Sequence, residues 1–224
     1  MNEKITHQNN VIRNEENNMK YEWRKQEKDI YQAKEIPTLV EVPASKYICI
    51  KGMGNPNNED FANRVGVLYQ VSYTVRMMPK KGFTPKGYFE YTVYPLEGLW
   101  DLTEKGRKEE ALNKNELVYI IMIKQPDFVN EEVFRKALEI LKKNKTNDLF
   151  DELYFDTIED GLSVQMLHIG SYDNESQTFE KMKHFINDNN LKIKTYVHRE
   201  IYLSDARKVE KDKLKTILRY RVQR

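Results

Sequence analysis

The chain has 224 residues with 37 basic and 35 acidic side chains, and the resulting formal net charge is only +2. The two signs are interleaved along most of the chain, which is typical of a solvated surface and excludes the dense basic footprint of a nucleic-acid-binding domain. No segment approaches the roughly 18 apolar residues of a membrane-spanning helix, and the N-terminus has no apolar signal-peptide core. We therefore expect a cytoplasmic protein with no nucleic-acid or membrane partner.

Residues 1–19 are predicted to form a disordered tail. They are rich in asparagine and nearly free of large apolar side chains, so they cannot bury enough surface to offset the entropy of ordering. Met19 could be an alternative translation start, although an ordinary internal methionine is equally compatible with the sequence. Residues 20–224 are expected to form the folded domain.

A first structural module is predicted at about residues 45–129. Its opening strand, "YICIKG", holds the single cysteine, Cys49, at a buried position, which favours an inert core thiol and allows no disulfide within the chain. A polar loop and a helix opened by Phe61 follow. Two further strands, "GYFEYTVYPLEGLW" and "ELVYIIMIKQPDFV", complete the module.

An amphipathic helix at residues 130–143 is predicted to link this module to a second one. Asn130 is its expected N-cap, acids occupy its first turn, and lysines occupy its last turn. Its buried face is predicted to consist of Val133, Phe134, Ala137, Leu138 and Leu141.

The second module, at about residues 153–223, repeats the plan of the first. Nine positions separate Gly52 from Phe61, and nine separate Gly170 from Phe179 at the start of the corresponding helix. The strands "KTYVHREIYLSD" and "KLKTILRYRV" then follow. The chain thus reads as β-α-β-β twice, which predicts an α+β fold of antiparallel sheets with pseudo-twofold symmetry and a ligand groove between the modules.

The strand "HREIYLSD" contains the main candidate residue, Glu200. Strand alternation places His198, Glu200 and Tyr202 on one face, and Tyr220 on the last strand is expected to be a neighbour. One interpretation makes this the wet face of the sheet, because a glutamate is rarely buried without a partner. The other places Glu200 on the floor of a pocket among aromatic rings.

Other residues could complete such a pocket. Tyr94, Glu97 and Trp100 lie at the end of a strand, and Glu97 occupies a place comparable to that of Glu200. A carboxylate among aromatic rings could take a proton from water while a tyrosine donates a hydrogen bond, although the same residues could equally be packing and surface groups. His168 is interpreted as a structural imidazole, because nothing pairs it with a nucleophile. No nucleotide-binding motif or metal-ligand spacing is found, so neither cofactor nor metal is expected.

Four motifs, in the right order, resemble the GyrI-like small-molecule-binding family. They are "YPLEGLW" (94–100), "IMIKQPDFV" (121–129), "MLHIGSYDNE" (166–175) and "HREIYLSDARKVEKDKLKTILRYRV" (198–222), and the likeness covers about residues 34–222. The resemblance implies a tandem β-α-β-β (SHS2-like) fold with its ligand site between the modules. The chain departs from the family pattern at Asp101, where a second aromatic residue is common, and at Ala206, where proline is usual.

The resemblance also implies a function. In the effector-binding domains of multidrug-sensing regulators, a glutamate on a late strand meets cationic aromatic drugs within a cage of tyrosines, and Glu200 matches that position. Some stand-alone members resemble hydrolases that open the cyclopropane ring of DNA-alkylating natural products and so protect the cell. A non-catalytic sensor or sequestering module linked to transcription regulation is the alternative.

The expected partner is therefore a flat aromatic or cationic xenobiotic, and the expected assembly is a monomer or weak dimer. The candidate catalytic residues are Glu200, Tyr220 and Glu97. The candidate ligand-binding residues are Tyr94, Glu97, Trp100, His168, Glu200, Tyr202 and Tyr220.

Overall fold

The computed structural model describes residues 20–224, so the predicted tail at residues 1–19 lies outside the described residues. Nine strands in this part of the chain form one antiparallel sheet, which confirms the α+β class. The strands are β1 (Thr38–Val42), β2 (Ser45–Met53), β3 (Leu96–Leu102), β4 (Leu117–Gln125), β5 (Tyr154–Ile158), β6 (Gly161–Ile169), β7 (Lys192–Ile193), β8 (His198–Tyr202) and β9 (Lys215–Gln223). The α-helices are α1 (Trp23–Gln26), α2 (Lys28–Tyr31), α3 (Glu59–Met77), α4 (Glu131–Lys142) and α5 (Glu175–Asp188).

The strands lie in the order β1-β6-β9-β8-β3-β4-β2-β5, with β7 paired to β9. In the first half of the chain, β4 lies between β2 and β3. In the second half, β9 lies between β6 and β8. The two halves meet where β3 pairs with β8. The description of the halves as SHS2-like modules related by a pseudo-twofold axis stays a prediction.

The helices α3 and α5 cover one face of this sheet, which we call the helix face. The helix α3 packs Val67, Leu68 and Val71 into the same cluster as Ile50 and Ile121 of the sheet. The helix α5 packs Met182 and Ile186 into a second cluster with residues of β6 and β9. The helix face therefore has two apolar cores, with the β3–β8 pair between them.

The helix α4 links the two halves. The Asn130 side chain accepts a hydrogen bond from the Val133 backbone N–H at 2.9 Å, which satisfies one free donor of the first turn. The buried residues of α4 are Val133, Phe134, Ala137 and Leu141. Leu138 packs against the core while remaining partly exposed.

The second strand of the first half is shorter than its sequence pattern predicts. The segment Gly87–Pro95 alternates like a strand, but regular pairing begins only at Leu96. Proline has no backbone N–H to donate to a ladder. The preceding segment pairs instead with the N-terminal part of the chain, where Tyr21 N–H donates to the Glu90 carbonyl at 2.7 Å and Thr92 N–H donates to the Tyr21 carbonyl at 2.8 Å.

The segment that carries α1 and α2 lies on the other side of the sheet, which we call the opposite face. Arg219 and Gln165 of the sheet donate to the Ile30 and Asp29 carbonyls at 3.2 and 2.8 Å. The Tyr31 side chain is almost fully buried. Both faces of the central strands are therefore covered, and a polar side chain on either of them must find a partner.

Candidate ligand site

Glu200 lies in β8 at the centre of the sheet, where the two halves pair. Its cross-strand neighbours are Gly98 of β3 and Leu218 of β9. Because side chains two positions apart share a face, His198, Glu200 and Tyr202 all lie on the helix face. Glu200 is only 8% exposed, so it is buried and does not lie on a wet surface of the sheet.

Both oxygens of the Glu200 carboxylate have hydrogen-bond partners. The Nε2 atom of His198 lies 2.9 Å from Oε1, and the Tyr202 hydroxyl donates to Oε2 at 2.8 Å. The indole N–H of Trp100 in turn donates to the Tyr202 hydroxyl at 2.8 Å. The carboxylate is thus held in a fixed orientation by side chains from both halves of the chain, which is a way to pre-organise a binding group.

Gly98 makes room for the Trp100 indole to reach Tyr202. A Cβ atom on Gly98 would lie 2.5 Å from Trp100 Nε1 and 3.2 Å from two carbon atoms of the ring. No side chain fits at that distance without moving the indole. The glycine in the motif "YPLEGLW" is therefore required for the hydrogen bond that orients Tyr202 and, through it, Glu200.

We expect Gly98→Ala to displace the Trp100 indole and to lower the free energy of unfolding by ~1–3 kcal/mol, the usual cost of overpacking. The matched control is Gly66→Ala, because Gly66 lies within α3 and a Cβ there meets nothing within 4 Å. That change should raise the stability by ~0.5–1 kcal/mol, since glycine is costly inside a helix. Urea denaturation followed by tryptophan fluorescence measures both. Equal effects of the two changes would contradict the role given to Gly98.

Aromatic rings from the first half form one wall beside Glu200. The Trp100 ring lies 5.0 Å from the Tyr119 ring and 5.8 Å from the Phe61 ring. Phe61 also meets Tyr119 edge-on at 5.2 Å. The Tyr119 ring lies over Gly52, where a Cβ would come within 2.5 Å of it. Two glycines thus allow two large rings to lie flat on the sheet.

Aromatic rings from the second half pack against the two side chains that bond Glu200. Phe179 of α5 lies 4.8 Å from the His198 ring and 5.2 Å from the Tyr220 ring. Tyr172, just before α5, contacts the Tyr202 ring edge-on at 5.8 Å. The phenylalanine that each repeat places nine positions after its glycine therefore contacts the site from its own side.

Burial changes the acidity of the phenols around Glu200. It raises the pKa of Tyr202 well above its ordinary value, and the charge of Glu200 raises it further. Burial, then Glu200 and Glu175, raises the pKa of Tyr172 to about 12. Burial also raises the pKa of Tyr220 to about 12. These phenols therefore keep their protons near neutral pH and can act as hydrogen-bond donors.

Glu97 lies apart from Glu200, on the opposite face. Glu97 pairs in register with Ile201, one residue along β8, and so its side chain points the other way. It is 1% exposed, accepts a hydrogen bond from Arg199 Nη1 at 2.7 Å and accepts another from the Tyr31 hydroxyl at 3.0 Å. The structure therefore places Glu97 in a buried ion pair and does not bring it together with Glu200.

Three other candidates divide between the site and its surroundings. The Tyr94 hydroxyl donates to Glu27, whose other oxygen lies 2.5 Å from Lys124 Nζ. Tyr94 therefore binds the N-terminal segment to the rest of the domain and does not contact Glu200 in the described hydrogen bonds. His168 is buried between the Thr178 hydroxyl and the Ser171 carbonyl, at 2.9 and 3.0 Å. Tyr220 lies at the site through its contacts with Phe179 and His198.

Sequence reasoning did not assign several residues that contact the Glu200 network. Tyr172 and Glu175 lie within the quoted motif "MLHIGSYDNE", and Phe61 and Phe179 were identified only as helix-opening residues. The sequence carried one usable signal, because the buried residues of α5 are Glu175, Thr178, Met182 and Ile186. An acid that continues an apolar stripe at helical spacing predicts a carboxyl group directed toward the sheet.

No helix within residues 20–224 combines the length and the apolar character needed to cross a membrane. Over the same residues, no group of three or more histidine, cysteine, aspartate or glutamate side chains is arranged to hold a metal ion.

The sequence model for the GyrI-like small molecule binding domain matches residues 36–222. Two solved structures from Listeria innocua are similar over 91% of this chain and 100% of their own. One is described as a hydrolase, with 32% identity and a TM-score of 0.83, and the other as an uncharacterized conserved protein, with 35% identity and a TM-score of 0.84. The C-terminal domain of EcmrR shares the fold alone, at 18% identity and a TM-score of 0.50 over 84% of this chain and 97% of that one. No curated protein matches the chain.

Proposed function

Since this chain belongs to the GyrI-like small-molecule-binding family, we propose that it binds flat aromatic or cationic molecules against Glu200. The observation that carries this proposal is the fixed, nearly buried carboxylate, whose network of hydrogen-bond partners packs against aromatic rings from both halves of the chain. Aromatic faces favour stacking with a flat ring system, and a carboxylate beside them favours a positive charge on it. The expected ligand is therefore a planar polycyclic xenobiotic.

A fluorescence titration with N-methylacridinium tests this binding. This probe is flat, permanently cationic and free of hydrogen-bond donors, so its affinity depends on stacking and on charge. We expect saturable one-site binding. Binding that is absent, or that is unchanged when Trp100 is replaced by leucine, would contradict the proposed site, because Trp100 forms part of its aromatic wall.

We propose hydrolysis of activated cyclopropane rings as a second function of the same site. It is favoured by the similarity to a Listeria innocua protein described as a hydrolase, which shares 32% identity over 91% of this chain. The reaction requires a water molecule aimed at the strained carbon, a carboxylate to accept its proton and a donor for the oxygen that gains charge. Glu200 is the proposed base. Tyr202 donates to one of its oxygens, and Tyr220 packs against the ring of His198, which bonds the other.

The proposed step adds one water molecule overall. The water oxygen bonds to the strained ring carbon while Glu200 takes one proton from it. The carbon–carbon bond of the ring breaks, and its electron pair moves into the conjugated carbonyl. The proton held by Glu200 then passes to the oxygen of that carbonyl, which becomes a hydroxyl group, and the Glu200 carboxylate is restored.

Mass spectrometry separates this function from binding alone. Mixing the protein with a cyclopropane-bearing alkylator should yield a product heavier by one water, faster than in buffer. If the compound binds and no such product forms, the protein is a sensor or sequestering module. Its proposed cytoplasmic role is then to bind the compound without converting it.

A further inference from the structure

Glu175 is a second buried acid at the edge of the Glu200 site. It is the first residue of α5 and belongs to the stripe of that helix that faces the sheet. The residue is 8% exposed, and its Oε1 atom is buried with no hydrogen-bond partner among residues 20–224. A buried polar atom without a partner is costly, so its retention calls for a functional explanation.

The neighbours of Glu175 show that it lies beside the ligand site. Tyr172, three residues earlier, contacts the Tyr202 ring, and Tyr202 donates to Glu200. Phe179, four residues later and one helical turn along the same side, contacts the His198 ring, and His198 bonds the other Glu200 oxygen. Glu175 therefore sits between two side chains that both rest on the Glu200 network.

The charged groups that face Glu175 are mostly acidic. The charge of Glu200 on β8 acts on it, as does the charge of Asp173, two residues before it in the chain. The ion pair of Asp173 with Lys114, at 2.7 Å, is largely exposed. Tyr172 and Tyr202 are the phenols that share this environment. Within residues 20–224, the charges that act on Glu175 are those of two acids, Glu200 and Asp173, so a second negative charge would be unfavourable there.

Two effects compete over the charge of Glu175. The helix N-terminus favours a carboxylate, because its free backbone N–H groups carry a partial positive charge. Burial opposes ionisation, as does repulsion from Glu200 and Asp173, and together they raise the pKa of Glu175 to about 10. Burial and repulsion therefore favour the protonated form of Glu175 over its carboxylate.

We propose that Glu175 is a neutral carboxylic acid that donates a hydrogen bond to a carbonyl or other neutral oxygen on a molecule bound against Glu200. This inference rests on the proposed small-molecule site and names the feature that the site recognises. The two acids then have different roles. Glu200 favours a positive charge or a water molecule, and Glu175 favours a hydrogen-bond acceptor on the same flat ligand.

Two probes with one ring skeleton separate these roles. N-methylacridone carries a carbonyl and no charge, whereas N-methylacridinium carries the charge and no carbonyl. Glu175→Met removes the donor at similar side-chain length, and we expect it to weaken acridone binding by about threefold to tenfold, the usual worth of one neutral hydrogen bond. Acridinium binding should stay the same or improve. Glu175→Gln keeps an N–H donor and should restore most of the acridone affinity.

The protonation state gives a readout that does not depend on a ligand. At pH 8 the infrared spectrum of the wild-type protein should contain a protonated-carboxyl band that is missing from Glu175→Gln. The thermal stability of Glu175→Gln relative to wild type should also increase as the pH rises from about 4.5 toward 10, because only wild type must take up a proton on folding. A missing infrared band, or acridone affinity unchanged in Glu175→Met, would overturn the inference. If wild type binds neither probe while the band is present, the proposed small-molecule site itself is wrong.

Discussion

Replacing Glu200 by glutamine should leave the protein folded but weaken its binding or hydrolysis of the ligand. Glutamine keeps the shape of the side chain but removes its charge, and it cannot accept hydrogen bonds on both terminal atoms as the carboxylate does from His198 and Tyr202. If the protein opens cyclopropane rings, we expect the rate to fall by about 10²–10⁴-fold, the typical contribution of a positioned base. If it only binds, the affinity for N-methylacridinium should fall instead.

The matched control is Glu210→Gln, which changes an exposed glutamate paired with Lys213. It removes the same charge from the chain and should change neither rate nor affinity. Product formation is measured by mass spectrometry and binding by fluorescence titration, and far-UV circular dichroism verifies folding. Wild-type behaviour of Glu200→Gln in both assays would show that Glu200 has only a structural role.

Replacing Arg199 by methionine should lower the free energy of unfolding by ~3–5 kcal/mol, the usual cost of removing one partner of a buried ion pair. Arg199 is 2% exposed and lies between two buried carboxylates. It donates to Glu97 at 2.7 Å and to Asp160 at 2.6 and 2.9 Å. Without it, Glu97 keeps only the Tyr31 hydroxyl as a described partner, and Asp160 keeps Arg219 at 3.2 Å.

Urea denaturation measures this loss, with Arg207→Met as the control. Arg207 forms its ion pair with Asp205 in solvent, and that change should leave the midpoint within error. Adding Glu97→Gln to Arg199→Met should recover part of the stability, since it removes one of the uncompensated charges. A double variant as unstable as the sum of the single ones would contradict a coupled charge cluster.

The same cluster predicts how wild type responds to acid. Burial raises the pKa of Asp160, but the charges and hydrogen bonds of Arg199 and Arg219 outweigh it and lower that pKa below its ordinary value. A lowered pKa in the folded state means that Asp160 contributes stability above the ordinary pKa of an aspartate, and this contribution is lost as the pH falls through the folded-state value. The free energy of unfolding of Arg199→Met should therefore depend less steeply on pH in the acid range than that of wild type.

The sequence by itself determined the class of fold and the place of the main candidate residue. Apolar periodicity predicted the strands of both halves and the helix that links them, because a side chain that must be buried repeats with the period of its element. The matched spacing from glycine to phenylalanine indicated that the halves share a plan. Alternation along β8 grouped His198, Glu200 and Tyr202, which the structure joins by hydrogen bonds.

Only the tertiary structure decided which acids meet. Glu97 and Glu200 occupy comparable places in the sequence, but the pairing of β3 with β8 sets Gly98, and not Glu97, opposite Glu200. A shift of one residue in register moves a side chain to the other face of a sheet, and no local pattern encodes register between strands about a hundred residues apart. The same long-range pairing brings Trp100 to Tyr202 and directs Arg199 to Glu97. It also leaves Glu175, an ordinary helix-start residue by sequence, buried beside Glu200 without a partner among residues 20–224.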